Sequence, residues 1–567
     1  MALRNTSRFF IQFIRLAGPF WNSENKTTIR SLSLALVALT VLQIAVSVII
    51  TEWSADLFDA LEQRSMSGLF TQIGLIILIF IANMAITATH LTVKRRLQLD
   101  WRGWLTDKLI GQWMHDGRHY LVTHIAGGQH DNPDGRIAED IRISTEFAID
   151  LLHTLFFCIL LLVSFTKILW TLSGTVTLNL GLFEFSIQGH LVWLAFIYAA
   201  SASMLGWWIG RPLTTATDNR QTMEANFRFA LVKARENAQA IALIHGERHE
   251  NPHFHQLFGG IIAAWDQQTK AWGKIIMFSS GYSVLSMAFP ILVSAPRFIL
   301  GTITLGALMQ SAQAFQQLVS SLSWPVDNMG KVAEWRASVE RVLGLTKALD
   351  QLEREIARPD PHRIRLEKID ESVLRFRDLC ITRLDGIVCV SCLNEEIKAG
   401  ERVLIAGNAF TGNKLFKAVA GLWPWGEGVV ELPDNEALFF MPPRPYLPTG
   451  TLRAAICYPS DPSSFELEAL EAALDLAGLK DLTEQLDQVG DWEKNLEREQ
   501  QERLGFVRLM LHKPKWILMQ EAFASLEPEG EVEMVKLIHR MLPNSAMLTI
   551  TKQPAIQAMH KRSITLC

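Results

Sequence analysis

Five stretches of the chain, residues 31–50, 69–89, 191–210, 275–296 and 298–326, contain no charged side chain. Each reaches the roughly 20 predominantly apolar residues that a helix needs to cross about 30 Å of hydrocarbon. A sixth stretch, 147–166 (FAIDLLHTLFFCILLLVSFT), is equally apolar except for Asp150 and His153 near its start. Six membrane-spanning helices are therefore predicted, and they make residues 1–345 an all-α membrane domain.

Basic residues orient these helices. Lys94, Arg95, Arg96, Arg102, Lys108 and Arg118 follow the second stretch, and Arg211, Arg220, Arg228, Lys233, Arg235 and Arg248 follow the fourth. Positive charge is retained on the cytoplasmic side, so both long connections are predicted inside. The connection after the first stretch instead holds Glu52, Asp56, Asp59 and Glu62 against Arg64, and the one after the third is nearly uncharged apart from Glu184. Both chain ends then face the cytoplasm, as expected of a multi-pass inner (plasma) membrane protein. The inner connections keep helical periodicity (WRGWLTDKLIGQW; NFRFALVKARENAQAIALI), which predicts helices continuing well below the bilayer. A formal net charge of −4 argues against a nucleic-acid partner.

Past residue 345 the apolar runs shorten. A Pro-rich bridge (ARPDPHR, 357–363) lies in a predicted linker, 346–364, and alternating stretches such as SVLRFRDLCI and GIVCVSCLNEEI then announce a soluble α/β domain over 365–567. Among the cysteines Cys158, Cys380, Cys389, Cys392, Cys457 and Cys567, only Cys389 and Cys392 have a metal or redox spacing. They lie in a strand pattern that turns the two thiols apart, so ordinary packing is expected, with no metal site and no disulfide. In an α/β domain of this kind, ERVLIAG is a buried strand whose terminal glycine should open into a phosphate-binding loop and a helix.

DNPDGRIAEDI stands at 131–141, and WLTDKLIGQWMHDGRHY, SGTVTLNLGLFEFSIQGHLVW, SSLSWPVDNMGKVAEWRASVERVLGL and GLWPWGEG occur elsewhere in the chain. In these segments, from about residue 15 to the end, the chain resembles the SbmA/BacA-like permeases and their relatives that carry a nucleotide-binding domain, with Gly135 where that family has glutamine. The resemblance implies a membrane domain of the ABC exporter type fused to an ABC-type nucleotide-binding domain of P-loop fold. It also implies a partner, since two copies build one pathway. Asp131, Asn132, Pro133, Asp134, Arg136, Glu139 and Asp140 would form a bent coupling element, because Pro133 breaks a helix and acidic residues sit where the next one restarts.

Against that family pattern the nucleotide motifs are damaged. A working loop needs G-x-x-x-x-G-K-[ST], whose amides cradle phosphate while the lysine neutralises it and the hydroxyl holds magnesium. Gly407 and Gly412 keep their spacing, but Asn413 takes the lysine position, Lys414 comes one place late, and one residue is missing after Gly412. Pro443 replaces the glutamine that meets magnesium and water. Glu497 and Glu499 occupy the signature positions that should present amides to the partner's γ-phosphate. Gln520 replaces the magnesium-binding aspartate, Glu521 survives as a remnant of the catalytic carboxylate, and the switch histidine falls at Lys552 or Gln553.

No catalytic residue is assigned, no cofactor is expected, and binding of ATP and magnesium is in doubt. Composite sites draw on both chains of a dimer, so an intact partner would still inherit a fault at each. The alternative drive is an ion gradient, which a carboxylate can couple to alternating access by taking up and releasing a proton. Asp150 and His153, close on one helix face, are candidate relay groups together with Glu184. SbmA/BacA-type permeases lack the engine domain and are proton-driven peptide importers. The expected function is accordingly a homodimeric, proton-driven importer of peptides or similar hydrophilic cargo. ATP-dependent transport, direct or through a partner chain, and a membrane scaffold or sensor with a pseudo-ATPase domain stay open.

Overall fold

A computed structural model describes residues 2–125, 132–179, 184–357, 363–383, 387–407, 409–434 and 436–566. Contacts divide the chain into one unit of Met1–Arg118 and Ile125–Asp350 and another of His119–His124 and Gln351–Cys567.

The chain up to residue 357 is mainly helical: α1 (Ala2–Ala17), α2 (Lys26–Glu62), α3 (Met66–Met114), α4 (Arg118–Ile125), α5 (Ile141–Ser173), α6 (His190–Glu236), α7 (Glu247–Ile299), α8 (Leu305–Asp327) and α9 (Met329–Ala357), with the body of α4 and the end of α9 falling in the second unit. Among the described residues five helical segments are long and apolar enough to cross a membrane, Lys26–Glu62, Met66–Thr123, Pro133–Ser173, His190–Glu236 and Glu247–Ile299. α3 alone has 49 residues. At 1.5 Å per residue that is about 74 Å, more than twice a hydrocarbon core, so the periodic inner segments do extend the spans. Ile77, Leu78, Phe80 and Ile81 of α3 are exposed, as lipid-facing residues should be.

The apolar run at 298–326 does not form one helix. α7 ends at Ile299, Gly301 turns the chain at φ +70, and the Thr304 hydroxyl accepts from Ala307 N to start α8. α8 has 23 residues and carries Gln310, Gln313, Gln316 and Gln317. It packs against α2, α5, α6 and α7, with Ala314, Phe315 and Leu318 fully buried. Enclosed by other helices, α8 need not be lipophilic all round. The acids predicted in the first outer connection are helical instead. Asp59 Oδ1 and Glu62 Oε2 each accept, at 2.8 Å, from the first amides of α8, Gly306 N and Leu305 N. α2 and α8 meet so closely there that a Cβ on Gly306 would lie 2.2 Å from Ala55 O.

Between α5 and α6 a hairpin, β1 (Thr175–Asn179) and β2 (Glu184–Gln188), pairs antiparallel from Thr175↔Gln188 to Asn179↔Glu184. The predicted linker is largely helix. α9 continues to Ala357 because Val342, Leu345, Leu349 and Leu352 keep one buried face, and residues 358–362 lie outside the described residues.

The second unit contains β3 (Arg365–Ile369), β4 (Val373–Thr382), β5 (Val388–Lys398), β6 (Arg402–Ala406), β7 (Gly426–Pro433), β8 (Leu438–Met441), β9 (Trp516–Gln520), β10 (Ala546–Ile550) and β11 (Arg562–Thr565). A five-stranded parallel sheet runs β11-β6-β10-β9-β8, and a four-stranded sheet runs β3-β7-β4-β5. Every residue of WILMQ in β9 and AMLTI in β10 is buried, the pattern of central parallel strands covered on both faces.

Candidate functional site

β6 delivers the chain to the place where a nucleotide's phosphates would lie. In a working loop several non-helical residues arch around the phosphate before the helix begins. Here α10 (Ala409–Val419) starts two residues after Gly407, and Asn408 between them lies outside the described residues. The backbone from Ala409 to Gly412 is thus already wound. First-turn amides of a helix point along its axis and do not encircle a ligand. Gly412 is used for packing: a Cβ there would come within 2.7 Å of Ile550 Cδ1 on β10.

Three of the side chains at the phosphate and metal positions have hydrogen-bond partners inside the domain, and Glu521 has an ion-pair partner at 3.5 Å. Asn413 Nδ2 donates to Gln520 Oε1 at 2.9 Å, a neutral amide pair where the family pattern has an ammonium and a carboxylate. Lys414 is 5% exposed and donates through Nζ to Cys389 Sγ at 3.3 Å. Its ammonium lies 4.7 Å and 4.6 Å from the ring centroids of Phe410 and Trp423, so it is held in a cation–π cage. Lys414 therefore does not supply the missing phosphate lysine from its shifted position. Glu521 adopts a left-handed conformation at φ +42, and Lys552 Nζ lies 3.5 Å from its carboxylate. Lys552, one of the two candidates for the switch position, is thus a counter-ion to Glu521.

Pro443 lies two residues beyond β8 and has no side-chain donor or acceptor. Glu497 is the N-cap of α11 (Arg498–His512) and forms a capping box with Gln500, whose Oε1 accepts from Glu497 N at 3.0 Å. Glu499, in the first turn, takes Arg503 at 2.8 Å. The end of this helix already carries its own carboxylates where an anion would otherwise bind. Behind Glu521, burial and the neighbouring charges of Glu502 and Glu521 push the Glu531 carboxyl above its ordinary value. Glu531 was not singled out from the sequence, because its acidic neighbours come from distant segments. Among the described residues this donor set does not fit a magnesium–phosphate group.

A second constellation joins α3 to α5. Asp150 Oδ1 lies 3.0 Å from Lys94 Nζ and accepts from Gln98 Nε2 at 3.2 Å. One turn on, His153 Nε2 meets His90 Nε2 at 2.8 Å. His90 is buried, and His153 Nδ1 is buried without a hydrogen-bond partner among the described residues. Sequence reasoning found Asp150 and His153 and missed His90, Lys94 and Gln98. Their spacing of four along α3 was the available signal, since it places all three on one face. Glu184 is not brought to this cluster. It starts β2, beyond the far end of α5 and roughly 30 Å along that helix from His153. Only its backbone is described.

At the proposed coupling residues the structure describes a helix start from Asn132 onward. Asn132 Oδ1 accepts from Gly135 N at 3.1 Å, Pro133 opens the helix, and a π-helical turn over Arg136–Asp140 leads into α5. Asp140 is buried and takes Arg341 through Nε at 2.7 Å and Nη2 at 2.5 Å, which ties it to α9 inside the first unit. Asp134 and Glu139 are exposed, and Asp131 lies outside the described residues. The inner segment grouped with the second unit is instead His119–His124, where Lys417 Nζ sits 5.2 Å from the Tyr120 ring centroid.

Between α6 and α7 runs a cavity of about 1050 Å³, walled by residues including Tyr198, Leu205, Trp208, Met277 and Phe278. The helices are antiparallel there, Tyr198 meeting Tyr282 and Gly210 meeting Ile275, so Arg211 and Lys274 share one end.

Residues 19–299 match the family described as ABC transporter transmembrane region 2. An uncharacterized ABC transporter ATP-binding protein of Haemophilus influenzae is 28% identical over 98% of this chain and 92% of its own length. The inner membrane ABC transporter ATP-binding protein YddA of Escherichia coli is 27% identical over 96% and 95%. The structure of a bacterial Atm1-family ABC exporter with ATP bound superposes with a TM-score of 0.66 at 15% identity, covering 95% of this chain and 94% of that one. These matches correct the resemblance to SbmA/BacA-like permeases. The similarity runs through both halves to ABC transporter ATP-binding proteins, and the matching membrane family is an ABC transporter region. The chain is a multi-pass inner-membrane protein similar to ABC transporter ATP-binding proteins, and it has the fold of an Atm1-family exporter: a helical membrane domain followed by an α/β domain of the nucleotide-binding type.

Proposed function

We propose that this protein is a homodimeric transporter, with both termini cytoplasmic, that moves cargo without hydrolysing ATP, and that its C-terminal domain serves as a structural or dimerising piece. The observation that carries this reading is α10, which is wound through the segment that should arch around phosphate. The internal pairs Asn413–Gln520, Lys414–Cys389 and Glu521–Lys552 support it, since each spends a group the chemistry would need.

A proton gradient is the drive that the membrane cluster supports. Two imidazoles sharing one N–H···N bond at 2.8 Å cannot both be protonated without separating. They lie beside an Asp150–Lys94 pair on helices that would move past one another in alternating access. Proton uptake at His153 and His90 would then loosen α3 from α5. The peptide expectation rested on the corrected resemblance. The cavity between α6 and α7 favours a cargo with an apolar body and an anionic end, which Arg211 and Lys274 would meet. The similarity to ABC transporter ATP-binding proteins favours the second reading, ATP-driven transport.

The test is uptake of a labelled amphipathic anion into proteoliposomes of the full chain. Uptake should follow an imposed pH gradient, ignore ATP, and collapse with an uncoupler or with His153→Gln. ATP-dependent uptake that survives the uncoupler would sink the proposal.

A further inference from the structure

We infer that the groove between α1 and α9 is a binding site for the headgroup of an anionic phospholipid, with the free face of α1 lying against the acyl chains. α1 is pinned on one side. Phe9 and Phe13 pack on Trp335 of α9 with ring centroids 5.6 Å and 5.0 Å apart, and Phe13 also meets Trp101. Its other side is apolar and largely uncovered, with Ile11 53% and Ile14 64% exposed, and Phe10, whose ring also borders Trp335 at 6.5 Å, 48% exposed. An amphipathic helix anchored by one apolar stripe and showing a second beside basic residues suits a membrane surface better than water. α2, which holds the first membrane span, begins at Lys26, so the lipid boundary is close in sequence.

The groove supplies the charge. Arg8 and Gln12 stand one turn apart on α1, while Arg336, Glu340 and Lys347 share a face of α9, around a cavity of about 360 Å³. Glu340 is already held by Arg336 Nε at 2.9 Å, and Lys347 Nζ donates to the neutral Gln12 Oε1 at 3.0 Å. Arg8 and Lys347 therefore face the groove without a carboxylate of their own among the described residues. A phosphodiester would meet those two cations, and its tails would run along Phe10, Ile11 and Ile14. This occupant explains the charge and the bare apolar stripe together, which a soluble anion would not.

Native mass spectrometry of the full chain, released from nanodiscs of mixed phosphatidylglycerol and phosphatidylcholine, reads the preference directly. The wild type should retain phosphatidylglycerol selectively. The exposed double variant Arg8→Gln/Lys347→Gln should lose about fivefold of that selectivity for each cation removed. Arg15→Gln, an exposed cation on α1 outside the groove, should leave it unchanged. Phe10→Ser/Ile11→Ser should weaken retention of both lipids. Selectivity that survives the double variant, an equal loss with Arg15→Gln, or displacement of the lipid by millimolar inorganic phosphate each overturns the assignment.

Discussion

Replacing Gln520 by aspartate restores the residue that a magnesium site would need, yet the structure predicts a loss of stability and no gain of nucleotide. Gln520 is 8% exposed, and among the described residues its one side-chain hydrogen bond comes from Asn413 Nδ2. A carboxylate there forfeits hydration worth several kcal/mol and keeps one donor, which returns about 1.5–3 kcal/mol. Glu521 next to it and Glu531 nearby add repulsion. The net cost should be about 2–3 kcal/mol, which in a domain of roughly 200 residues lowers Tm by about 6 °C. Adding Asn413→Lys supplies the counter-ion and should recover part of that loss, with a coupling of about 1 kcal/mol or more in the double-mutant cycle. Melting curves of the detergent-solubilised full chain, with and without Mg-ATP, measure both effects. Neither variant should show a nucleotide-dependent shift, because the backbone from Ala409 to Gly412 stays helical. If Gln520→Asp/Asn413→Lys binds Mg-ATP tighter than about 100 μM, roughly −5.5 kcal/mol, the helix is not the obstacle and the reasoning fails.

Two further outcomes follow from packing and charge. Burial, with Arg402 and His560 nearby, lowers His539 from 6.5 to about 4, so the folded domain favours the neutral ring. Its contribution is complete above the unfolded value and disappears as pH falls towards 4. His539→Leu should therefore flatten the pH dependence of unfolding in that window by about 2 kcal/mol after allowance for screening, and an unchanged slope would contradict the assignment. Gly306→Ala places a methyl carbon 2.2 Å from Ala55 O and 2.5 Å from Asp59 Oδ1, so the start of α8 must move off α2. A loss of about 3 kcal/mol or failure to assemble is expected, visible as a lower melting temperature or aggregation on size exclusion; a wild-type profile would show that the two helices are not so closely packed.

The membrane helices were legible in the sequence because lipid imposes a length and an apolarity that a single segment must meet by itself. The same holds for the α/β domain, whose strands announce themselves by alternation or by fully apolar runs such as WILMQ. Motif spacing also exposed the unusual residues at Asn413, Gln520, Glu497 and Glu499, since a P-loop is a local pattern. What those residues do instead was not local. Lys414 stands beside Cys389, Asn413 beside Gln520, and Asp150 beside Lys94 across 25, 107 and 56 positions of chain respectively, which follow from their numbers in the sequence.

Pairings of that separation depend on which helix faces and strand ends the fold brings together, and no short-range rule specifies them. The break at 298–326 likewise escaped hydropathy, since a turn at Gly301 and the cap at Thr304 leave the run uncharged while ending one helix and starting another. Sequence alone determined that this chain crosses a membrane and ends in an α/β domain with unusual residues at the nucleotide-motif positions. Only the tertiary structure decided which partners Asn413, Lys414 and Gln520 take, because a polar group in a low-dielectric interior must find a partner or leave.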